Sequence, residues 1–498
     1  MIMSNAFMNG LKEATNYKLT ENGGVAKSST GSFLYDMFAL GGAYRSRSDE
    51  DCILLFKNAY EENPVYALKC LFYLRDVRGG QGERRFWRVC MKWLAKQDVA
   101  AARRNLEYTS EFGRWDDLYV FVDTPLEAEM FQQLKMQLAL DVQCKAPSLL
   151  AKWLKSENAS SHETRVLGAR TRKAFGMTAK QYRKTLSILR ERINVLERLM
   201  SAGRWDEIEF DKIPSKAGLV YRNAFARRDM IKAKYEKFAK SETTKVNAGA
   251  LYPYEVVAQA YRATHYQKPT DVERAMIGKY WDNLADYFNG ATLNALAIVD
   301  TSGSMWGTEA MAPINVAISL GMYCAEKAQG PYHGHYISFS RNPRLVRVEG
   351  VDFVDKVKRI YETNLCENTN LVGAFDLVLD VAVKNRLSQS ELPEALVVIS
   401  DMEIDSAQGC GYWYGNPGRN ILTEMDKVRA KWAAAGYKMP RLIFWNVQAR
   451  SNTILDQGPD VSLVSGASPV IFEQIMKGKT AYDLMMDKLD SERYSCIQ

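Results

Sequence analysis

The sequence predicts a multidomain chain with two folds in series. An N-terminal all-α helical repeat, a HEAT-like solenoid of antiparallel helix pairs, is expected over residues 33–290, and a C-terminal α/β doubly wound domain over 291–498, with 1–32 as a poorly structured leading segment. Three observations predict this. Up to Gly290 the chain reads as helix after helix, with almost no alternation of apolar and polar residues. Beyond it, short and almost wholly apolar runs alternate with helical ones, as strands buried on both faces of a parallel sheet do. The charge changes at the same place: residues 1–290 hold 46 Lys/Arg against 35 Asp/Glu, and 291–498 hold 20 against 24.

The elements follow in order. SDEDCILLFKNAYEENP starts at Ser48, a good N-cap, and stops before Pro64. PVYALKCLFYLRD, GERRFWRVCMKWLAKQ, DVAAARRNLEYTSEF and TPLEAEMFQQLKMQLAL are further helices, separated by Gly-, Pro- or Asp-containing breaks. GRWDDL at 113–118 is echoed by GRWDEI at 203–208, each with a Gly that stops a helix and a Trp that pins the next element. A helix is expected from Thr178 to Ala202, with Leu186, Leu189, Ile193, Leu196 and Met200 on one side at about 100° per residue. Lys180, Arg183, Lys184, Arg190 and Arg198 are placed opposite. In the second part NALAIVD, HYISFS, RLVRVEG, EALVVISD, RLIFWNV and VSLVSG are strand-like, with helices between them over 309–328, LVGAFDLVLDVAVKN and about 421–435.

Composition narrows the class. With 498 residues, 47% hydrophobic and 25% charged, the chain is neither disordered, nor collagen-like, nor a small disulfide scaffold. Eight cysteines lie scattered without a CxxC pair, mostly in apolar surroundings where a thiol is a small core residue. His333 and His335 share one face of a strand, but two ligands are too few for a zinc site. The most apolar run, Ile314 to Ala325, falls short of the roughly 20 residues that span a bilayer. The N-terminal stretch lacks the build of a signal peptide. A cytoplasmic protein without membrane attachment is expected.

Residues 151–250 are the most basic stretch, with 23 Lys/Arg against 11 Asp/Glu. Arg172 and Lys173 in GARTRKAF, the five cations of the 178–202 helix, and Arg227 and Arg228 in YRNAFARRDMIKAKYEKFAK lie there, with Tyr and Phe interleaved. Such a mixture suits phosphate contacts and base stacking, although a lone basic helix is more often a solvated face. RDVRGGQGERR at 75–85 is no phosphate-binding loop by motif, since helices flank it. Its Arg75, Arg78, Arg84 and Arg85, with Arg88, form a rim that would face an anion.

The strand ends carry a second constellation. NALAIVD finishes in Asp300 and opens DTSGS, with Ser302 and Ser304; EALVVISD finishes in Asp401; Thr369 lies in ENTNL between them. Carboxylates with hydroxyls are hard oxygen donors suited to Mg2+ or Mn2+, and so few carboxylates leave the ion positive and open to an outside acidic group. Glu403 and Asp405 in DMEID would either strengthen the site or occupy its open position.

This combination resembles a von Willebrand factor A domain with an intact metal-ion-dependent adhesion site. The resemblance makes Asp300, Ser302, Ser304, Thr369 and Asp401 the coordinating residues, directly or through water. A helical array ahead of such a domain resembles the TROVE and von Willebrand A architecture of the Ro ribonucleoprotein family. The segments FYLRDVRGGQGER at 72–84, LRERINVLERLMS…W at 189–205 and IPSKAGLVYRNAFARRD at 213–229 are similar to those of a Ro-related family. The resemblance implies a non-enzymatic protein whose helical array binds structured or single-stranded RNA, with a metal site that captures a partner's acidic group. The alternative is a metal-dependent protein-interaction scaffold without RNA binding, serving an AAA-type ATPase or another partner; the long acidic linkers of chelatase subunits are absent. A nuclease fits poorly, because two-metal chemistry needs clustered carboxylates.

Overall fold

The structure is a computed structural model that describes residues 15–266, 268–288, 294–327, 330–339, 341–363, 369–405, 422–475 and 481–498. Cys366, Cys410 and the Glu367 and Asn368 of ENTNL lie outside the described residues. The chain forms two compact units, and neither is continuous in sequence: residues 1–64 with 248–490, and residues 65–247 with 491–498.

In the first unit a hairpin comes first, β1 (Tyr17–Leu19) paired antiparallel to β2 (Val25–Lys27). A six-stranded mixed sheet follows: β3 (Ala295–Asp300), β4 (His335–Phe339), β5 (Arg344–Arg347), β6 (Ala395–Ser400), β7 (Arg441–Asn446) and β8 (Val461–Ser465). Its order is β5-β4-β3-β6-β7-β8, all parallel but for the antiparallel edge strand β5. Every residue of β3, β6 and β8 is buried, as their continuous apolar runs require. From β3 the chain passes to β4 on one side and later to β6 on the other. The crevice at the carboxyl ends of β3 and β6 is therefore the switch point where such sheets take ligands.

The expected boundaries at 33 and 290 need correction. The described part of 1–32 contains the hairpin, whose Lys27 bridges to Ile454. Helix Phe33–Leu40, capped by Ser32, is buried along nearly its whole length in the α/β unit. Immediately after it Gly42 approaches β8 so closely that a Cβ would lie 2.7 Å from Ser465 O. Helices Pro253–Tyr266 and Asp271–Asp282 also belong to this unit: Tyr261 stacks on Tyr361 at 4.2 Å, Trp281 on Phe353 at 4.5 Å, and Arg274 is paired with Asp352. Helical periodicity shows that a segment is a helix but not which core receives its apolar face.

In the helical unit, Arg84–Gln97 packs with Val99–Asn105, Glu127–Gln143 with His162–Phe175, and Ser215–Arg227 with Asp229–Lys240. DVAAARRNLEYTSEF, expected as one helix, is two: Val99–Asn105 and Thr109–Phe112. The GRWD echo is structural. Gly113 and Gly203 each end a helix, Gly203 at φ +72°, and Trp115 and Trp205 each begin a 3-10 turn. The expected 178–202 helix is broken. It runs Ala179–Arg192 behind a Thr178–Gln181 capping box and restarts as Leu196–Ser201, because Asn194 takes a left-handed φ of +54° between them. Among the described residues no helix is long and apolar enough to cross a membrane.

Candidate metal centre and basic surface

The end of β3 places Asp300 in the switch-point crevice, fully buried. Its Oδ1 accepts from the Ser302 N–H at 2.9 Å and its Oδ2 from the Ser400 hydroxyl at 2.5 Å. The turn into the short 3-10 helix Gly303–Met305 brings Ser302 Oγ and Ser304 Oγ within 3.2 Å of one another. Asp401 follows β6 and is buried as well; its Oδ1 accepts from the Glu403 N–H at 3.2 Å. Its Oδ2 has no hydrogen-bond donor, although Arg450 Nε stands 3.2 Å away, out of line for a hydrogen bond. Thr369, also buried, is tied in through its carbonyl, which accepts from the Asp405 N–H at 3.0 Å.

The electrostatics are those of a site short of positive charge. Burial raises the Asp300 carboxyl above its ordinary range, against hydrogen bonds from Ser302 and Ser400. Burial and then the charge of Asp300 push Asp401 up to about 7, against hydrogen bonds from Ser304 and Glu403 and the charge of Arg450. Two carboxylates that resist ionising together, a carboxylate oxygen that has Arg450 beside it but no hydrogen-bond donor, and nearby hydroxyls fit a hard divalent cation. Among the described residues, no group of three or more His, Cys, Asp or Glu is placed to hold a metal, so such a centre would rest on hydroxyls.

Glu403 and Asp405 are now separable. Glu403 is buried and turned away, accepting from Ser451 Oγ at 2.7 Å, Thr453 Oγ1 at 3.2 Å and the Glu21 N–H at 2.8 Å. Asp405 is half-buried and close enough to Asp300 to disfavour its ionised form.

Sequence reasoning missed the rim of this crevice. The β1–β2 turn lies over it: Asn22 Nδ2 donates to Thr369 Oγ1 at 3.2 Å and to Glu403 O at 2.6 Å, and Thr20 Oγ1 to Ile404 O at 2.6 Å. Arg450 reaches Ser304 O through Nη2 and stands 3.4 Å from Glu21 Oε2 through Nη1. The Asn-Gly pair at 22–23, with Gly23 at φ +83°, was the available hairpin signal. Arg450 lies four residues beyond β7, at another strand end.

The basic candidates divide into two groups. Arg75 is only 2% exposed and is paired with Asp117, Nε to Oδ2 at 2.9 Å, so it is not a surface contact. Arg172 is half-buried against Glu157 at 2.8 Å and donates to Met177 O at 3.0 Å. Arg190 turns inward, donating to Ala151 O at 2.8 Å, Leu154 O at 3.0 Å and Ser156 Oγ at 3.1 Å. Its expected place on the polar face was wrong, because it lies one turn beyond Leu186, only about 40° away on the wheel. Arg198 stands on the next helix and reaches back to Ser187 O at 2.6 Å. Arg78 is exposed and donates to Glu111 O at 2.6 Å, and Arg85 is half-buried at the start of its helix. Lys173, Lys180, Arg183, Lys184, Arg84 and Arg227 are exposed, as is Arg228, which covers the Trp205 ring at 4.6 Å.

Known proteins match along most of the chain. The family model described as domain of unknown function DUF2828 matches residues 20–165 and 139–289, and that described as domain of unknown function DUF7788 matches 294–494. A relative named "Uncharacterized protein L728", from Acanthamoeba polyphaga mimivirus, is 29% identical over 510 residues, covering 93% of this chain and 85% of its own. Among solved structures, the Ro (RSR) protein of Deinococcus radiodurans aligns over 93% of this chain and 95% of its own, at 14% identity and a TM-score of 0.40.

Proposed function

The chain belongs to the DUF2828 family, a domain of unknown function, and on that premise we propose that it is a non-enzymatic RNA-binding protein of the Ro type. In this reading its strand-end centre holds Mg2+ or Mn2+ and captures an acidic group of a partner. Asp300, Ser302, Ser304, Thr369 and Asp401 would hold the ion, in the manner of a von Willebrand A adhesion site. Bound there, the ion supplies a positive, partly hydrated position for an outside carboxylate or phosphate. The observation that supports this reading is the buried Asp401 Oδ2, which has Arg450 beside it but no hydrogen-bond donor, set against a second buried carboxylate. Calorimetry with Mg2+ and Mn2+ on the whole chain should show binding that Asp300→Ala abolishes. Equal binding by both proteins would sink the assignment.

RNA binding is assigned to the helical unit on charge. Residues 65–247 with 491–498 hold 37 Lys/Arg and 23 Asp/Glu, whereas the α/β unit holds 29 against 36. The contrast is sharper along the structural division than along the sequence boundary at 290. A polyanion is drawn to the helical unit and repelled by the α/β unit. The exposed Lys180, Arg183 and Lys184 supply backbone contacts. Reversing all three to Glu should weaken single-stranded RNA in filter binding. It should also flatten the log–log salt dependence by about 0.7 for each phosphate no longer neutralised. An unchanged slope would make this helix face merely solvated.

A further inference from the structure

Within the helical unit five cations gather on two carboxylates. Asp117, wholly buried, pairs with Arg75 and with Arg88 Nε at 2.7 Å. Asp116, 8% exposed, takes Arg88 Nη2 at 3.0 Å and both Arg114 Nε at 2.9 Å and Nη2 at 3.0 Å. Two more cations feel the same group without a carboxylate of their own. Arg84 has no hydrogen-bond or ion-pair partner among the described residues, and its guanidinium is repelled by Arg114 and Arg88. Lys155 lies over the Tyr119 ring at 5.2 Å, attracted by Asp116, repelled by Arg88 and Arg114, and attracted again by Glu163, with which it makes no ion pair. With Glu163 counted beside Asp116 and Asp117, five positive charges face three negative ones, an excess of two in a partly buried place.

Such an excess is unfavourable without an anion. Arginine does not shed its proton in proteins, so charge repulsion at Arg84, Arg88 and Arg114 is relieved by a counter-charge rather than by titration. Partial desolvation and the neighbouring guanidinium groups already depress both Arg84, which stays exposed overall, and the half-buried Lys155. The carboxylates are deeper than the cations they hold: Arg88 and Arg114 keep 34% and 29% of their side chains exposed. Arg114 also stacks on the half-buried Trp153 ring at 4.0 Å.

We propose that Arg84, Arg88, Arg114 and Lys155 form a phosphate-binding site on the helical unit, seating a backbone phosphate of single-stranded RNA next to Trp153. The guanidinium forks suit phosphate oxygens, and the Trp153 ring carries Arg114 at 4.0 Å and Lys152 at 5.8 Å, adding a further cation next to the site. The choice of RNA rests on the reading above; the phosphate chemistry does not.

The test uses the whole chain carrying Arg84→Gln and Lys155→Gln, the two cations without carboxylate partners, so that folding is spared; thermal melts should coincide with wild type. A second variant, Arg114→Lys, keeps the charge and removes the fork. Titrations with pyrophosphate and with a single-stranded RNA oligonucleotide distinguish the sources of the phosphate. The expected result is that wild type binds both. The double variant should lose about tenfold or more in each, its RNA salt slope falling by about 1.4, and Arg114→Lys should weaken both ligands. If wild type binds pyrophosphate and not RNA, and the variants lose pyrophosphate, the phosphate site stands and the RNA reading falls. If wild type binds RNA and the folded variants bind it equally with an unchanged slope, the site is overturned while RNA binding stands. Wild type binding neither ligand overturns both.

Discussion

Arg190 commits a full guanidinium to three acceptors at the end of helix Leu150–Trp153, whose last carbonyls have no partner within their own helix. Burial depresses its pKa, yet Arg keeps its proton, so the hydrogen bonds must be present. Arg190→Ala should therefore cost about 2–3 kcal/mol in urea melts, since bonds to a charged donor are worth about 1.5–3 kcal/mol. Arg190→Lys should rescue little, because an ammonium cannot span three acceptors in fork geometry. Lys184→Ala, on the exposed face of the same helix, should stay within about 0.5 kcal/mol. Equal costs for Arg190→Ala and Lys184→Ala would show that the inward contacts carry no stability. Residue type marked both positions as cations; only packing separates anchor from surface.

Helix Pro313–Lys327 and β3 meet where a glycine lets them. A Cβ on Gly321 would lie 2.4 Å from Val299 Cγ2, and Val299 is the neighbour of Asp300 in β3. Gly321→Ala gains about 1 kcal/mol of helix propensity. The strand must shift to admit the methyl, and overpacking of this kind costs about 1–3 kcal/mol. A net loss of stability is expected, together with weaker Mg2+ binding, because the displaced strand carries Asp300. Calorimetry on Gly321→Ala and on the surface control Val383→Ala checks it, and unchanged affinity in both would show that the centre tolerates movement of β3.

Across the molecule, residues far apart in sequence complete each unit. Ser491–Gln498 belongs to the helical unit, where Arg493 pairs with the buried Asp76, Nη2 to Oδ1 at 2.7 Å. Tyr494 donates to Asp76 Oδ2 at 3.0 Å and stacks on Phe112 at 5.5 Å, and the Gln498 N–H donates to Asn105 at 3.0 Å. Burial alone would raise Asp76; Arg493 and the N–H groups of Arg78 and Gly79 outweigh it and hold the carboxyl below its ordinary value. A depressed acid stabilises the fold above its unfolded pKa, about 3.9, and that contribution fades as pH falls through the folded value. Deleting 491–498 should strand the buried charge and cost the helical unit about 3–5 kcal/mol at pH 7. A melt should show the loss at neutral pH and a smaller difference between the two proteins below about pH 4. A deletion that melts like wild type at pH 7 would show the tail to be dispensable.

The helical first part, the buried parallel strands and the DTSGS turn were legible in the residues alone. Those signals are local: a period of 3.6, an unbroken apolar run, and a polar loop at a strand end are written in neighbouring residues. The sequence also marked the charge contrast, which composition alone carries. Packing alone assigns residues 33–64 and 248–288 to the α/β core, sets Asn22, Glu21 and Arg450 at the border of the crevice, buries Arg75 and turns Arg190 inward. It alone brought Arg114 and Lys155 to Asp116, next to Arg84 and Arg88. Each of these depends on which apolar face meets which, and therefore on pairings between residues tens to hundreds of positions apart, which local patterning does not specify.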